Sequence, residues 1–435
     1  MNSLSQFLSL SDANVRYVVI GCVLLGISSG LMGVYTLLRK RALIGDAIAH
    51  AVLPGICIAF MLSGVRNTWV LFAGAVVTGS LAVYLVDLIT SRSRLKPDAA
   101  TALVLSVFFG AGILLLTIIQ SSGNAAQSGL DKFLFGKAAA MLPEDLWLFG
   151  VVLCLVVTVL LSGYKEFKLL AFDKGYAQSQ GIPVKALEMV LSTLTVLTVA
   201  TGIQAVGVVL MSSLLIAPAA ASRYWTHRLS GMLVLSAIMA TLGAYIGAFI
   251  SYTKPGMPTG PWIVVVLSCI TLASMLLAPN QGVLARYLQR RKHRNKILQE
   301  NILKAFFHLG EKKNNQALAF EMEVLRQQRD MPVARLKSGL RQLVRHGSLL
   351  DTNEGYQLTR SGLEAATRVV RLHRLWELYL SRHLNIAPDH VHEDAEGIEH
   401  LITPELEREL ELLLDSPGID PHDSQIPYTQ KDRNR

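Results

Sequence analysis

The chain has 435 residues, of which 51% are hydrophobic and only 17% charged. Its mean hydropathy is +0.40, whereas a soluble domain carries roughly 25% charged residues. The net charge of +9 hides two halves: residues 1–285 hold 10 acidic and 17 basic residues, and residues 286–435 hold 22 and 24. A wholly soluble protein is excluded, and the chain reads as a polytopic all-α membrane domain (1–280) followed by a water-soluble domain of single-domain size.

Nine apolar runs follow one another in the first part, at about 17–38, 42–62, 69–89, 99–119, 144–162, 186–201, 205–222, 231–251 and 261–278. Most have the roughly 20 residues that a helix needs to cross the hydrocarbon core. The sixth and seventh are short and parted only by Gly202, Ile203 and Gln204, the pattern of a broken or re-entrant pair. Basic residues gather in alternate connections: Arg39, Lys40 and Arg41; Arg92, Arg94 and Lys96; Lys165, Lys168, Lys174 and Lys185; Arg223 and Arg228. The excess of cations places those connections in the cytoplasm. Nine spans then put the N-terminus outside and the soluble domain inside. Cys22, Cys57 and Cys154 lie in apolar runs and read as small buried hydrophobes, not as a disulfide framework.

Ionisable residues within the runs are few. Asp46 and His50 stand four apart, so a helix puts them on one face. A carboxylate and an imidazole so placed suit a divalent transition metal, and an ionisable residue in a span is by default a functional one. The other reading leaves Asp46 solvated near the cytoplasmic end and His50 in an ordinary helix contact. Asp87 is expected at the interface. Gly26, Ser28, Ser29, Gly30 and Gly33 in the first run, with Gly243 and Gly247 in the eighth, permit close helix packing.

Residues 38–55, reading LRKRALIGDAIAHAVLPG, resemble the signature of manganese/iron/zinc ABC-transporter permeases, and residues 172–183 and 207–220 support it. The resemblance covers about residues 15–280. It implies a multi-pass protein of the bacterial inner membrane, paired as a homodimer or with a related second permease. It also implies a cytoplasmic ABC ATPase that supplies energy and an extracytoplasmic metal-binding protein that delivers the ion. Asp46 and His50 would line the ion path. The charged connection between the fifth and sixth runs, with Glu166, Asp173, Lys174 and the turn at Gly181, Ile182 and Pro183, would be the ATPase contact; by composition alone it is equally an interfacial loop. The chain has no Walker A glycine–lysine motif and so binds no nucleotide of its own; ATP hydrolysis falls to a partner.

Residues 286–296 include six Arg or Lys. Directly after a span, this basic linker (281–296) reads as an anchor against anionic lipid. Apolar spacing then predicts helices at about 297–309 and 315–327. A third runs from Pro332, with Val333, Leu336, Leu340, Leu343 and Val344 on one face, to Gly347. Residues 348–350 and 356–358 flank a turn as a small hairpin, and Thr359 caps a helix over about 360–384. Helix, helix, helix, wing is the order of a winged helix-turn-helix domain (297–366). Arg335, Lys337 and Arg341 lie on or near its recognition helix, where they are candidates for DNA contact. The same module also serves protein contacts. Residues 297–435 carry 18 basic against 22 acidic residues, so any DNA contact rests on a local patch.

A denser cluster follows. His373 and Glu377 are four apart, and beyond them come His392, Glu396, Glu399 and His400. Such a set suits manganese or iron, although nine of the eleven histidines lie after residue 286 and enrich the region generally. Residues 371–377 and 390–400 resemble the dimerisation and metal-binding helices of iron- or manganese-dependent, DtxR/MntR-like metalloregulators, and residues 421–427 resemble the end of their shared region. The resemblance implies a helical dimerisation and metal-binding domain (367–430) in which His373, Glu377, His392, Glu396, Glu399 and His400 are ligands. A Glu at 396 goes with manganese-type sensors. The family's first helix supplies further ligands, but here Asn301 and Lys304 stand there, and an ammonium cannot ligate a metal.

Together these readings describe a permease subunit of an ABC importer for Mn2+, Fe2+ or Zn2+ with a metal-responsive tail, and not an enzyme. Affinity order at Asp46 and His50 alone favours zinc. The Glu-rich tail set favours Mn2+ or Fe2+, which are expected ahead of Zn2+. The tail either gates transport or binds promoter DNA. The alternative is a membrane-tethered, metal-dependent DNA-binding repressor without transport activity.

Overall fold

With no water in the hydrocarbon core, the backbone groups of an apolar run must bond to one another, and a helix does this within one segment. The computed structural model describes residue 7, residues 12–65, 67–121, residue 136, and residues 141–253, 257–328, 331–384, 402–415, 417–422 and 424–428. The chain forms two compact units, Met1–Arg286 and Tyr287–Arg435.

The first unit holds helices α1 (Ala13–Leu38), α2 (Ile44–Ser63), α3 (Thr68–Arg92), α4 (Pro97–Ser121), α5 (Pro143–Ser162), α6 (Tyr164–Phe172), α7 (Lys174–Ser179), α8 (Val184–Val206), α9 (Val208–Trp225), α10 (Leu229–Thr253) and α11 (Thr259–Leu277). Among the described residues, eight of these, all but α6, α7 and α9, are long and apolar enough to cross a membrane. The expected ninth is α9, which has only 18 residues, contains Pro218 and carries Arg223 in its last turn. The expected break at Gly202, Ile203 and Gln204 lies elsewhere. Gly202 stays helical with the Met211 side chain packed on it. α8 ends at Val206, and the chain turns at Gly207, whose φ of 91° and ψ of 164° only glycine adopts readily.

The interior of this unit is built on α2 and α8, whose most apolar stretches are 78% and 72% buried, against 22% for α4 and α11. α2 packs against α3, α4, α8 and α9, and α1 packs against α5, α8, α9 and α10. Small residues make these approaches possible, as their frequency predicts. Gly26 lies on the Thr241 backbone, Gly30 on Ala237, Gly33 on the Leu215 carbonyl, and Gly55 on Gly74. Ser236 donates across the α1–α10 contact to the Gly30 carbonyl at 2.8 Å. All four cysteines are free; Cys22 and Cys57 are buried, whereas Cys154 is exposed on α5, contrary to expectation, because its helix turns that side outward.

The second unit begins within α12 (Val283–Lys312), so the segment expected as a linker at 281–296 is helical from Val283 on. α13 (Met322–Gln328) is shorter than the expected 315–327. Phe320 is extended instead, exchanging backbone hydrogen bonds of 2.8 and 3.0 Å with Tyr356. α14 (Val333–Arg345) ends at Gly347 with φ +71°. β1 (Leu349–Thr352) and β2 (Gly355–Leu358) pair antiparallel, with Leu349 opposite Leu358. The Thr359 hydroxyl caps α15 (Arg360–His383) by accepting from the Gly362 N–H at 3.0 Å. α15 passes residue 366 without interruption, and α16 (Pro404–Leu413) packs against it. Ile302, Phe306, Phe320, Leu340, Leu349 and Val370 form the core that joins α12, α14, the hairpin and α15.

Candidate metal centres

Asp46 is the third residue of α2, so its carboxylate sits in the first turn, where the helix dipole favours a negative charge. His50 follows one turn later. Its Nε2 lies 3.7 Å from the Asp46 Oδ1, and the two side chains are 16% and 37% exposed respectively. The imidazole meets the edge of Phe109 on α4, with ring centroids 4.7 Å apart. Its Nδ1 is buried and has no hydrogen-bond partner among the described residues. Pro54, one further turn along, has no N–H to give to the His50 carbonyl, so that oxygen lacks its usual helical donor. The face therefore offers a carboxylate oxygen and imidazole nitrogen, donors that divalent transition metals accept. Two such donors alone would leave most of a metal's coordination sphere open.

The turn before α2 holds this face in place. Lys40 adopts φ +58°, and backbone bonds from Lys40 to Leu37 and from Arg41 to Thr36, both 3.0 Å, close the turn. Arg41 then pairs with Asp87 of α3 at 2.9 Å. Asp87, expected only as an interfacial residue, thus fastens the start of α2. A pair 46 positions apart in sequence has no local signature; only the turn brings it together.

In the second unit, His373 and Glu377 lie on α15 as predicted, with Nε2 and Oε1 3.0 Å apart and side chains 4% and 3% exposed. They fit a metal as two adjacent donors. His392, Glu396, Glu399 and His400 lie outside the described residues. Among the described residues, no group of three His, Cys, Asp or Glu side chains is placed to hold an ion. On α12, the Lys304 side chain is buried, and its ammonium adds no donor.

Around this pair runs an ion network that the sequence did not reveal. Arg371 pairs with Glu407, which also takes Arg368 at 2.8 Å. Arg374 binds Glu311 of α12 at 2.8 Å and Asp420 at 3.4 Å, and also donates to the Gln425 carbonyl. His308, next to Glu311, has its pKa pushed down to about 4 by burial and by the charges of Lys304 and Arg374, against the opposing pull of Glu311. Burial alone would raise the Glu311 carboxyl, but its hydrogen bond and charge contact with Arg374 hold it below its ordinary value.

Residues 11–278 match the ABC 3 transport family. The chain belongs to that family. Residues 359–428 of this ABC 3 protein match the metal-binding and dimerisation domain of iron-dependent repressors. The chain is 37% identical over 384 residues to the manganese transport system membrane protein MntC of Bacillus subtilis, covering 88% of each chain. It is 41% identical to the zinc transport system membrane protein TroC of Treponema pallidum, across 67% of this chain and 97% of that one. Among solved structures it resembles PsaBC from Streptococcus pneumoniae in complex with Fab, with a TM-score of 0.59 and 30% identity over 66% of this chain and 99% of that chain. This ABC 3 protein is thus a multi-pass membrane protein and a non-enzymatic transport subunit with a repressor-like C-terminal domain.

Two further surfaces of the ABC 3 protein bear on the sequence reading. α6 and α7 occupy the charged connection. Phe167 and Leu170 are buried, Phe172 and Tyr176 are exposed, and Asp173 caps α7 by accepting from the Tyr176 N–H at 2.9 Å. On α14, Leu336, Leu340 and Leu343 are buried, and Arg335, Lys337 and Arg341 are all exposed on the opposite arc.

Proposed function

We propose that this chain is the permease subunit of an importer for a divalent transition metal, Mn2+, Fe2+ or Zn2+, with Asp46 and His50 as transient ligands in the ion path. The observation that carries this reading is the Asp46–His50 pair on α2, with a buried imidazole nitrogen that has no hydrogen-bond partner among the described residues. Relatives named for manganese and for zinc support the class of ion. A cytoplasmic ATPase drives alternating access by docking on α6 and α7, where Phe172 and Tyr176 are exposed. An extracytoplasmic binding protein delivers the ion, and a second copy or a related permease completes the pathway.

The basic connections support a cytoplasmic second unit. There residues 367–430 respond to metal through His373 and Glu377, joined by His392, Glu396, Glu399 and His400. Residues 297–366 act as a winged helix. The exposed Arg335, Lys337 and Arg341 favour a phosphate-contacting role for it, and a gel shift of the gene's own promoter with purified protein checks that part.

The central test is uptake of labelled Mn2+ and Zn2+ by proteoliposomes holding the permease and its ATPase. Asp46→Ala and His50→Ala are each expected to cut uptake at least about tenfold, the scale on which even the outer partners of a metal ligand act, while membrane insertion is unchanged. Wild-type uptake by both variants would exclude the ion-path assignment.

A further inference from the structure

The start of α12 carries a surface to which the proposed function gives no role. Val283, Leu284, Tyr287 and Leu288 form two turns of one helical side and are all exposed. Arg286, Arg290, Arg291, Lys292, Arg294 and Lys296 are exposed among and beyond them. No Asp or Glu occurs anywhere between Glu188 and Glu300. Among the described residues, only Lys296 of this group has a carboxylate partner, Glu300 at 3.6 Å. On the second unit's own surface, an open groove of about 680 Å³ is lined by Leu288, Arg291, Lys292 and Lys296 together with Gln342 and His346 of α14. Its lining is cationic and amide-bearing, with Leu288 as its apolar side chain and no acid.

The covalent chain limits where this surface can be. α11, a helix long and apolar enough to span, ends at Leu277, six residues before Val283. Six residues reach at most about 20 Å even when fully extended, so the first turns of α12 stay within reach of lipid headgroups. A helix with an apolar stripe and a cationic flank is the kind that lies in the membrane interface, with Tyr at headgroup level and Arg stems covering the apolar boundary. Duplex DNA would also attract the cations, but it has no use for an exposed Leu–Tyr–Leu stripe.

We propose that residues 283–296 are an interfacial helix that binds anionic phospholipid. Val283, Leu284, Tyr287 and Leu288 enter the acyl boundary, and the Arg and Lys side chains take headgroup phosphates.

The test uses the full chain in nanodiscs of phosphatidylcholine alone or with about one-third phosphatidylglycerol, and follows chymotrypsin cleavage after Tyr287 and Leu288. Cleavage is expected to slow roughly tenfold in the anionic discs, since each cation near such a surface contributes about 1 kcal/mol. Salt at about 1 M, where screening acts within about 3 Å, restores the rate. So does the variant R290Q/R291Q/K292Q/R294Q, which keeps both cleavage sites. The salt arm uses wild-type protein and stands even if the variant misfolds. Equal rates in the two discs, including no cleavage in either, overturn the proposal. So does equal protection in phosphatidylcholine discs by added inorganic phosphate or duplex DNA, because the cations would then serve a soluble phosphate or nucleic acid.

Discussion

In the membrane unit the polar side chains buried at helix contacts are mostly hydroxyls. Thr36, Thr195 and Thr198 donate to carbonyls one turn back at 2.7–2.9 Å, and Ser236 reaches across to Gly30. In the second unit the buried polar side chains are mostly ions: Arg371 with Glu407, Arg374 with Glu311 and Asp420, and His373 with Glu377. The difference follows from the surroundings. A hydroxyl can satisfy itself on its own helix, so it costs little in lipid. A charge taken out of water is stable only if several partners converge on it, and the folded second unit can supply them from three segments. The membrane unit buries one carboxylate fully, Asp145, which accepts from the Leu142 N–H at 3.0 Å; among the described residues, Asp46 and His50 take part in no such ion network.

The comparison predicts unequal sensitivities. The largest is at Arg374. Arg374→Ala leaves Asp420 buried without its ion pair, and the second unit is expected to lose about 3–5 kcal/mol, read as faster hydrogen exchange across α15 in the full-length protein. Protection at wild-type level would mean that the network is not what holds α12, α15 and the C-terminal segment together. In the membrane unit, the largest effect belongs to a residue with no polar group. Gly33→Val places a side chain against the Leu215 carbonyl, with an expected cost of about 1–3 kcal/mol, seen as a lower melting temperature in detergent.

Acid sharpens the contrast further. His308 is held neutral, with a folded pKa near 4 against an ordinary 6.5, so the unfolded chain takes up the proton first. Stability of the second unit should be full above pH 6.5 and fall as pH drops towards 4. Glu311, whose folded pKa is also lowered, adds its loss below the ordinary carboxylate range. His308→Gln should flatten the upper part of that slope, measured by exchange of α12 and α15 amides against pH. An unchanged slope would assign the acid sensitivity to other groups. The smallest expected effect is Ser236→Ala, about 0.6 kcal/mol, the mean for a hydroxyl bonded between membrane helices. A much larger loss in thermal melts would break the view that hydroxyls in this unit are only incidental clasps.

What could be read from the chain was local. The Asp46–His50 and His373–Glu377 pairs were legible because four residues make one helical turn. The Gly347 stop of α14 and the Thr359 cap of α15 were legible because glycine and threonine mark such helix ends. The α8–α9 break falls at Gly207 and not at 202–204, because the two glycines look alike in sequence and only the fold packs Met211 on the first. α13 is shorter than its apolar spacing predicts, because Phe320 fits a helical pattern as well as it fits a strand beside Tyr356. The Arg41–Asp87 pair and the Arg374 network were invisible, since their partners are separated by 46 residues or more and no periodicity records them.

The glycine contacts between α1 and its neighbours also determine how this protein can drift. Outward positions such as Val77, Leu103 and Leu114 can exchange among apolar residues with little consequence, so much of the membrane unit is free to vary. Gly26, Gly30 and Gly33 have no such latitude, because each already touches backbone. In a saturation library the strictest positions of α1 should therefore be its smallest residues, and a survey that looks for intolerance only at charged or aromatic side chains would overlook them.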